Sequence, residues 1–196
     1  MRRLRAIHAV SDAWRVAPHP SCARIQKRWL KRGGSLTAHL RELGAVTVRV
    51  TRERLGRAWR DEVTTLRVSA RSPVWVREVV LEVDGAPFIV ARSVIPLAAS
   101  RGVWRPVRRL AARPLAELLY QDKKVARSAL ASTKLGARHP LAALVKRDID
   151  QPPLSALLAR RSLFQRRGAR LLVTECMLPA LWIHARAHAR AHDGSA

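Results

Sequence analysis

Long apolar runs are missing from this 196-residue chain: none approaches the ~18 residues that a membrane-spanning helix needs. The basic opening, Met-Arg-Arg-Leu-Arg-Ala-Ile-His, is followed by no apolar h-region, so no secretory signal is expected. Cysteine is scarce as well. Cys22 and Cys176 are too few for a disulfide framework and read as reduced structural thiols of a cytoplasmic protein. Acidic residues are few: 14 Asp and Glu stand against 38 Lys and Arg, a formal charge of +24. Most basic side chains therefore have no carboxylate to pair with inside the chain.

What is present is a normal hydrophobic content, 48%, enough for one domain with a sizeable core and unlike a disordered basic chain. The charge points first to nucleic acid, but its distribution does not. Residues 1–60 carry 15 bases and 3 acids and residues 101–196 carry 19 and 6, whereas residues 61–100 carry 4 and 5. The most strand-like stretch is slightly acidic, no nucleic-acid-binding motif occurs, and no specific nucleic acid is expected. The pairs Arg108-Arg109, Lys123-Lys124 and Arg166-Arg167 read as solvated surface, and the six tryptophans are too scattered for a stacking platform.

Residues 1–19 read as a basic arm, residues 20–182 as the folded domain, and residues 183–196 as a low-complexity His/Arg/Ala tail. The tail's His184, His188 and His192 would stack on a helix, but an unstructured terminus is the plainer reading. Ser21 is placed as the cap of a helix through Leu30, stopped by Gly33-Gly34; Ser35 opens a second, with Leu36, Leu40 and Leu43 as its apolar stripe. Residues 45–51 alternate as a half-buried strand. Residues 74–83 and 86–95 flank Asp84-Gly85, the strongest short hairpin signal. A short helix follows at 113–120 with Pro114 in its first turn, another at Leu154–Leu158, and a last hairpin, 161–165 and 170–178, around Gly168. Strands and helices do not alternate as βαβ units, so the class is α+β with an antiparallel sheet.

Residues two apart on a strand share a face. Arg77 is then the one charge among Trp75, Val79, Leu81 and Val83, and Arg92 the one charge among Phe88, Val90 and Val94. Glu175 is likewise alone among Leu171, Val173 and Met177. If Asp84-Gly85 is the whole loop, opposed residues have numbers summing to 169, which sets Arg77 opposite Arg92. Two like charges on an apolar surface need anions. Glu175 neutralises only one, so a small carboxylate ligand suits the planar fork of the second.

The same segments resemble the chorismate–pyruvate lyase family. The matching stretches are Gly34-Ser35-Leu36-Thr37, Val74 to Val80, Asp84 to Pro87, Ala91 to Pro96, Pro114-Leu115, Arg160-Arg161-Ser162 and Leu171 to Pro179, in the family's order. The resemblance implies a single α+β domain, a twisted antiparallel sheet with helical flaps closing over a buried ligand site. It implies conversion of chorismate to 4-hydroxybenzoate and pyruvate for ubiquinone biosynthesis, by a monomer without metal or other cofactor. It also implies that Arg77 binds the ring carboxylate, that Glu175 contacts the oxygen that becomes the phenol, and that the Leu36 and Leu115 amides help hold the ligand. Arg92 is assigned to the enolpyruvyl carboxylate on the strength of the cross-strand pairing. The family commonly has Gly-Arg where this chain has Ala91-Arg92, and residues 121–153 are longer and more basic than its pattern. Two alternatives stand beside the lyase. One is a basic nucleic-acid-binding protein. The other is a non-catalytic anion-binding module of the same fold, disfavoured because the stretch before Ser35 is too short for the winged-helix domain that usually precedes such a module.

Overall fold

A computed structural model describes residues 2–3, 13–150 and 157–193. Its strands are β1 (Arg2–Arg3), β2 (Val46–Arg57), β3 (Pro73–Val83), β4 (Ala86–Pro96), β5 (Ala126–Arg127), β6 (Ala131–Leu135), β7 (Leu157–Arg166) and β8 (Ala169–Met177). They form one sheet in the order β1-β5-β7-β8-β4-β3-β2, with β6 paired to β7 beyond β5. All pairings are antiparallel except that of the two-residue β1 with β5. The helices are α1 (Arg24–Lys31), α2 (Leu36–Arg41), α3 (Arg60–Leu66), α4 (Leu97–Arg101), α5 (Leu115–Gln121), α6 (Pro140–Asp148) and α7 (Pro179–Asp193), with a 3₁₀ turn at Arg105–Arg109. The α+β class and the antiparallel sheet are those the sequence implies.

Most residues of β3 and β4 are buried, because helices cover both faces of the sheet. On one face Val76, Val80, Val90, Val94 and Leu172 pack with Leu141, Leu144 and Val145 of α6 and with Trp14. On the other, Val79, Leu81, Ile89, Ala91 and Met177 pack with Trp29 and Leu30 of α1, Leu36 and Leu40 of α2, and Leu181 and Ala185 of α7. Charged residues on either face are thereby drawn out of water.

Asp84 and Gly85 make the expected two-residue turn, both with positive φ (49° and 80°). The register beyond it differs from the expectation. Val83 pairs with Ala86 and Glu82 with Pro87, but Leu81 then pairs with Ile89, so Phe88 is an extra residue in β4. This β-bulge shifts all later pairs by one. Arg77 therefore stands opposite Ser93, and Arg92 opposite Glu78. Opposed residues share a face, so the two arginines lie on opposite faces of the sheet rather than side by side.

Several local expectations change and one holds. Helix α1 begins at Arg24, not near Ser21: the Gln26 side chain accepts the Ala23 N–H at 2.8 Å, while Ser21 bonds His19. Ser35 does cap α2, accepting from the Ala38 N–H at 3.1 Å. Of the helix expected at Leu154–Leu158, residues 154–156 lie outside the described residues, and Leu157 and Leu158 begin β7. In the arm, Trp14 is buried and Arg15 bridges to Ser132; across residue 182, α7 continues unbroken with Ala185 in the core.

Candidate active site

A cavity lies between the sheet and two helical covers, one carrying α1 and α2, the other the 3₁₀ turn and α5. Leu36 and Thr37 line it from the first cover and Leu115, Leu119 and Tyr120 from the second. The sheet contributes Arg77 and Val79 from β3, Ala91 and Ser93 from β4, Arg127 from β5, Ser162 and Phe164 from β7, and Val173 and Glu175 from β8. Four of the five residues singled out from the sequence, Leu36, Arg77, Leu115 and Glu175, are brought together here.

Arg77 ion-pairs through Nη1 with Glu53 of β2. Its Nη2 donates to the Ala111 and Arg113 carbonyls at 2.7 and 3.2 Å. These carbonyls belong to the segment leading into α5, so the same guanidinium fastens the second cover over the sheet. Along the strand order, the β8 residue level with Arg77 is Val173, and Glu175 is two residues further on. With two interstrand steps and two residue rises, the backbone positions of Arg77 and Glu175 stand about 12 Å apart on one face.

Glu175 accepts from Nε of Arg160, directly opposite it on β7, at 2.7 Å. Arg160 is fully buried, and its Nη1 donates to the Trp29 and Arg32 carbonyls at 3.0 and 2.8 Å, at the end of α1. It thus links the carboxylate to the first cover. Leu36 and Leu115 are the first residues of α2 and α5, where a helix N–H has no acceptor of its own and the helix dipole is positive.

Arg127 and Tyr120 are cavity residues that sequence reasoning missed. Arg127 donates from Nε to Ser162 Oγ at 2.9 Å, and from Nη1 to the Gly34 carbonyl at 3.0 Å and Tyr120 Oη at 2.5 Å. Tyr120 Oη donates to the same carbonyl. Burial lowers the Arg127 pKa and raises that of Tyr120. No alternation marks Arg127, which sits in a two-residue strand within a basic stretch. A signal did exist for Arg160: the tight Arg167-Gly168 turn, both residues at positive φ, fixes a register that sets Arg160 against Glu175.

Arg92 is not brought to this cavity. On the other face its Nε and Nη2 donate to Glu62 at 2.9 and 3.2 Å and its Nη1 to Glu78 at 2.7 Å. Its guanidinium carbon lies 3.9 Å from the centroid of the Trp59 ring. The assignment of Arg92 to the enolpyruvyl carboxylate is corrected on this ground: the bulge at Phe88 turns it away from Arg77, and two glutamates neutralise it. Among the described residues no cluster of three or more His, Cys, Asp or Glu side chains is arranged to hold a metal. Cys176, on the face opposite Glu175, is a buried thiol pushed up to about 12 by that burial, which fits a structural role.

The chain is thus an α+β domain with a cavity roofed by two helical segments, in which two arginines and one carboxylate are set among apolar side chains. The fold alone is shared with distant proteins. The PhnF C-terminal domain superposes with a TM-score of 0.54 at 17% identity, over 75% of this chain and 89% of that one. A GntR-family transcriptional regulator from Bacillus cereus superposes with 0.51 at 14%, over 69% and 92%. Sequence similarity is far closer to another group: a probable chorismate pyruvate-lyase of Bordetella pertussis is 48% identical over 179 residues, 91% of this chain and 94% of that protein. The chorismate lyase family model matches residues 12–187, and the chain belongs to that family. No helix among the described residues is long and apolar enough to cross a membrane.

Proposed function

We propose that the protein is a chorismate lyase, which eliminates pyruvate from chorismate to leave 4-hydroxybenzoate, the aromatic precursor of ubiquinone. One observation carries this reading: Arg77 and Glu175 share one face of the sheet, within a cavity that the starts of α2 and α5 also line. A cyclohexadiene with a carboxylate at one end and a hydroxyl at the other matches that order of charges. Arg77 binds the ring carboxylate with the Leu115 amide nearby, and Glu175 with the Leu36 amide takes the hydroxyl end.

The chemistry asks little beyond placement. The ether bond to the ring breaks with its electron pair on oxygen, and the adjacent hydroxyl-bearing carbon loses its proton. The new double bond completes an aromatic ring, and enolpyruvate becomes pyruvate by protonation at its methylene carbon. Aromatisation supplies the driving force, so no cofactor is called for. The protein's part is to orient the ether and to stabilise charge on the leaving group in a site screened from water. Glu175, held by Arg160, orients the hydroxyl.

Incubation of the protein with chorismate should release pyruvate and 4-hydroxybenzoate in equal amounts. Absence of either product would overturn the reading, and binding without pyruvate release would point to the non-catalytic module instead. Arg77→Ala and Glu175→Ala should each lower turnover strongly in a folded protein.

A further inference from the structure

Chorismate carries two carboxylates, and Arg77 accounts for one. With Arg92 on the far face, the second needs another cation, and the cavity contains one. Its charged lining residues are Arg77, Arg127 and Glu175. Arg77 has Glu53 as its counter-ion and Glu175 has Arg160. Arg127 has no carboxylate within 4 Å among the described residues; its acceptors are a serine hydroxyl, a tyrosine hydroxyl and a carbonyl. It is therefore a half-buried cation of the cavity with no carboxylate in direct contact.

Its placement fits the missing role. Nε and Nη1 are anchored to Ser162, Tyr120 and Gly34, which leaves Nη2 with no acceptor among the described residues. A guanidinium fixed through Nε and Nη1 with Nη2 open is a pre-oriented donor for a carboxylate oxygen. Arg127 also bonds the Gly34 carbonyl, two residues before Leu36, whose amide the lyase reading sets at the hydroxyl end together with Glu175. It thus belongs to the hydroxyl end of the bound ring, and in chorismate the enolpyruvyl ether sits on the carbon next to the hydroxyl. We propose that Arg127, steadied by Tyr120 and Ser162, receives the enolpyruvyl carboxylate through Nη2 and stabilises the enolpyruvate as the ether bond breaks. The assignment rests on the chorismate lyase reading and supplies its second anion site.

The test compares Arg127→Met, Arg127→Lys and Arg77→Met with the wild-type protein, measuring kcat/KM for chorismate and Kd for 4-hydroxybenzoate. The product keeps the ring carboxylate but lacks the enolpyruvyl one, which separates the two sites. Arg127→Met should lose about 100-fold or more in kcat/KM, the cost of truncating one partner of a buried charge pair, while Kd for 4-hydroxybenzoate moves by less than about threefold. Arg77→Met should weaken both. Arg127→Lys keeps the charge and should recover about tenfold of the loss. Should Arg127→Met not fold, Arg127→Gln, which retains an amide donor, takes the same two measurements. A kcat/KM for the neutral variant close to wild type overturns the assignment. So does a loss of product affinity that tracks the loss of kcat/KM, because that marks Arg127 as a strut for the cover. A wild-type protein that releases no pyruvate overturns the lyase reading itself, and is seen before any variant is made.

Discussion

Replacing Arg160 by methionine probes how the site is held. The side chain is fully buried, its Nε lies 2.7 Å from Glu175, and its Nη1 bonds two carbonyls at the end of α1. Methionine fills much of the space but leaves the Glu175 carboxylate without its counter-ion. Breaking a buried pair costs about 3–5 kcal/mol. Glu175 retains some exposure, 16% of its side chain, so the lower end, about 3 kcal/mol, is expected. For a chain of this size that corresponds to a Tm lowered by about 6–12 °C. Urea unfolding should show a lower midpoint with an unchanged slope. The decisive measurement is the double variant Arg160→Met/Glu175→Gln, in which the orphaned charge is gone. It should recover about 2 kcal/mol relative to the sum of the single effects. Strict additivity would refute the idea that Arg160 holds Glu175 as an anion, and would make it a packing residue of the cover.

Further outcomes follow from other parts of the fold. Arg92→Met should destabilise by about 3–5 kcal/mol, because Glu62 and Glu78 are left buried with a lost partner, and Glu62→Gln in the same chain should restore part of this; urea unfolding of the two variants checks it. Burial opposes ionisation of Asp61, but the His139 ring nitrogen 3.6 Å away, the Arg161 charge and the Trp14 Nε1–H hold its pKa below the usual value of 3.8. A depressed acid contributes stability that is full above 3.8 and is lost as pH falls through the folded value. Asp61→Asn should therefore flatten the acid limb of a Tm-versus-pH curve, and an unchanged limb would count against the pairing. Cys176, buried with its pKa pushed up to about 12, should resist iodoacetamide at pH 8 until the protein unfolds, as mass spectrometry of the native and urea-treated protein would reveal.

The sequence by itself determined a good deal. Alternation and an Asp-Gly turn placed β3 and β4 within a residue or two, Ser35 marked the start of α2, and isolated charges on apolar strand faces pointed to an anion site. Arg77 and Glu175 were legible because a charge breaks a period-two pattern visibly. The +24 that dominates the composition does not by itself single out that site: Arg77 comes from the one stretch with no basic excess, whereas Arg127 and Arg160 come from the basic stretch 101–196.

Only the tertiary structure decided which charges meet. A bulge adds one residue, and one residue reverses the face of everything beyond it; that sent Arg92 to Glu62 and Glu78 and away from Arg77. No local pattern announces such an insertion, since its cost and its benefit lie in packing against other strands and helices. Arg127 was hidden for a related reason. Two residues of strand carry no periodicity, and its partners, Gly34, Tyr120 and Ser162, come from three other segments of the chain. Local sequence sets the direction of a side chain along its own element, while long-range pairing sets what that side chain faces.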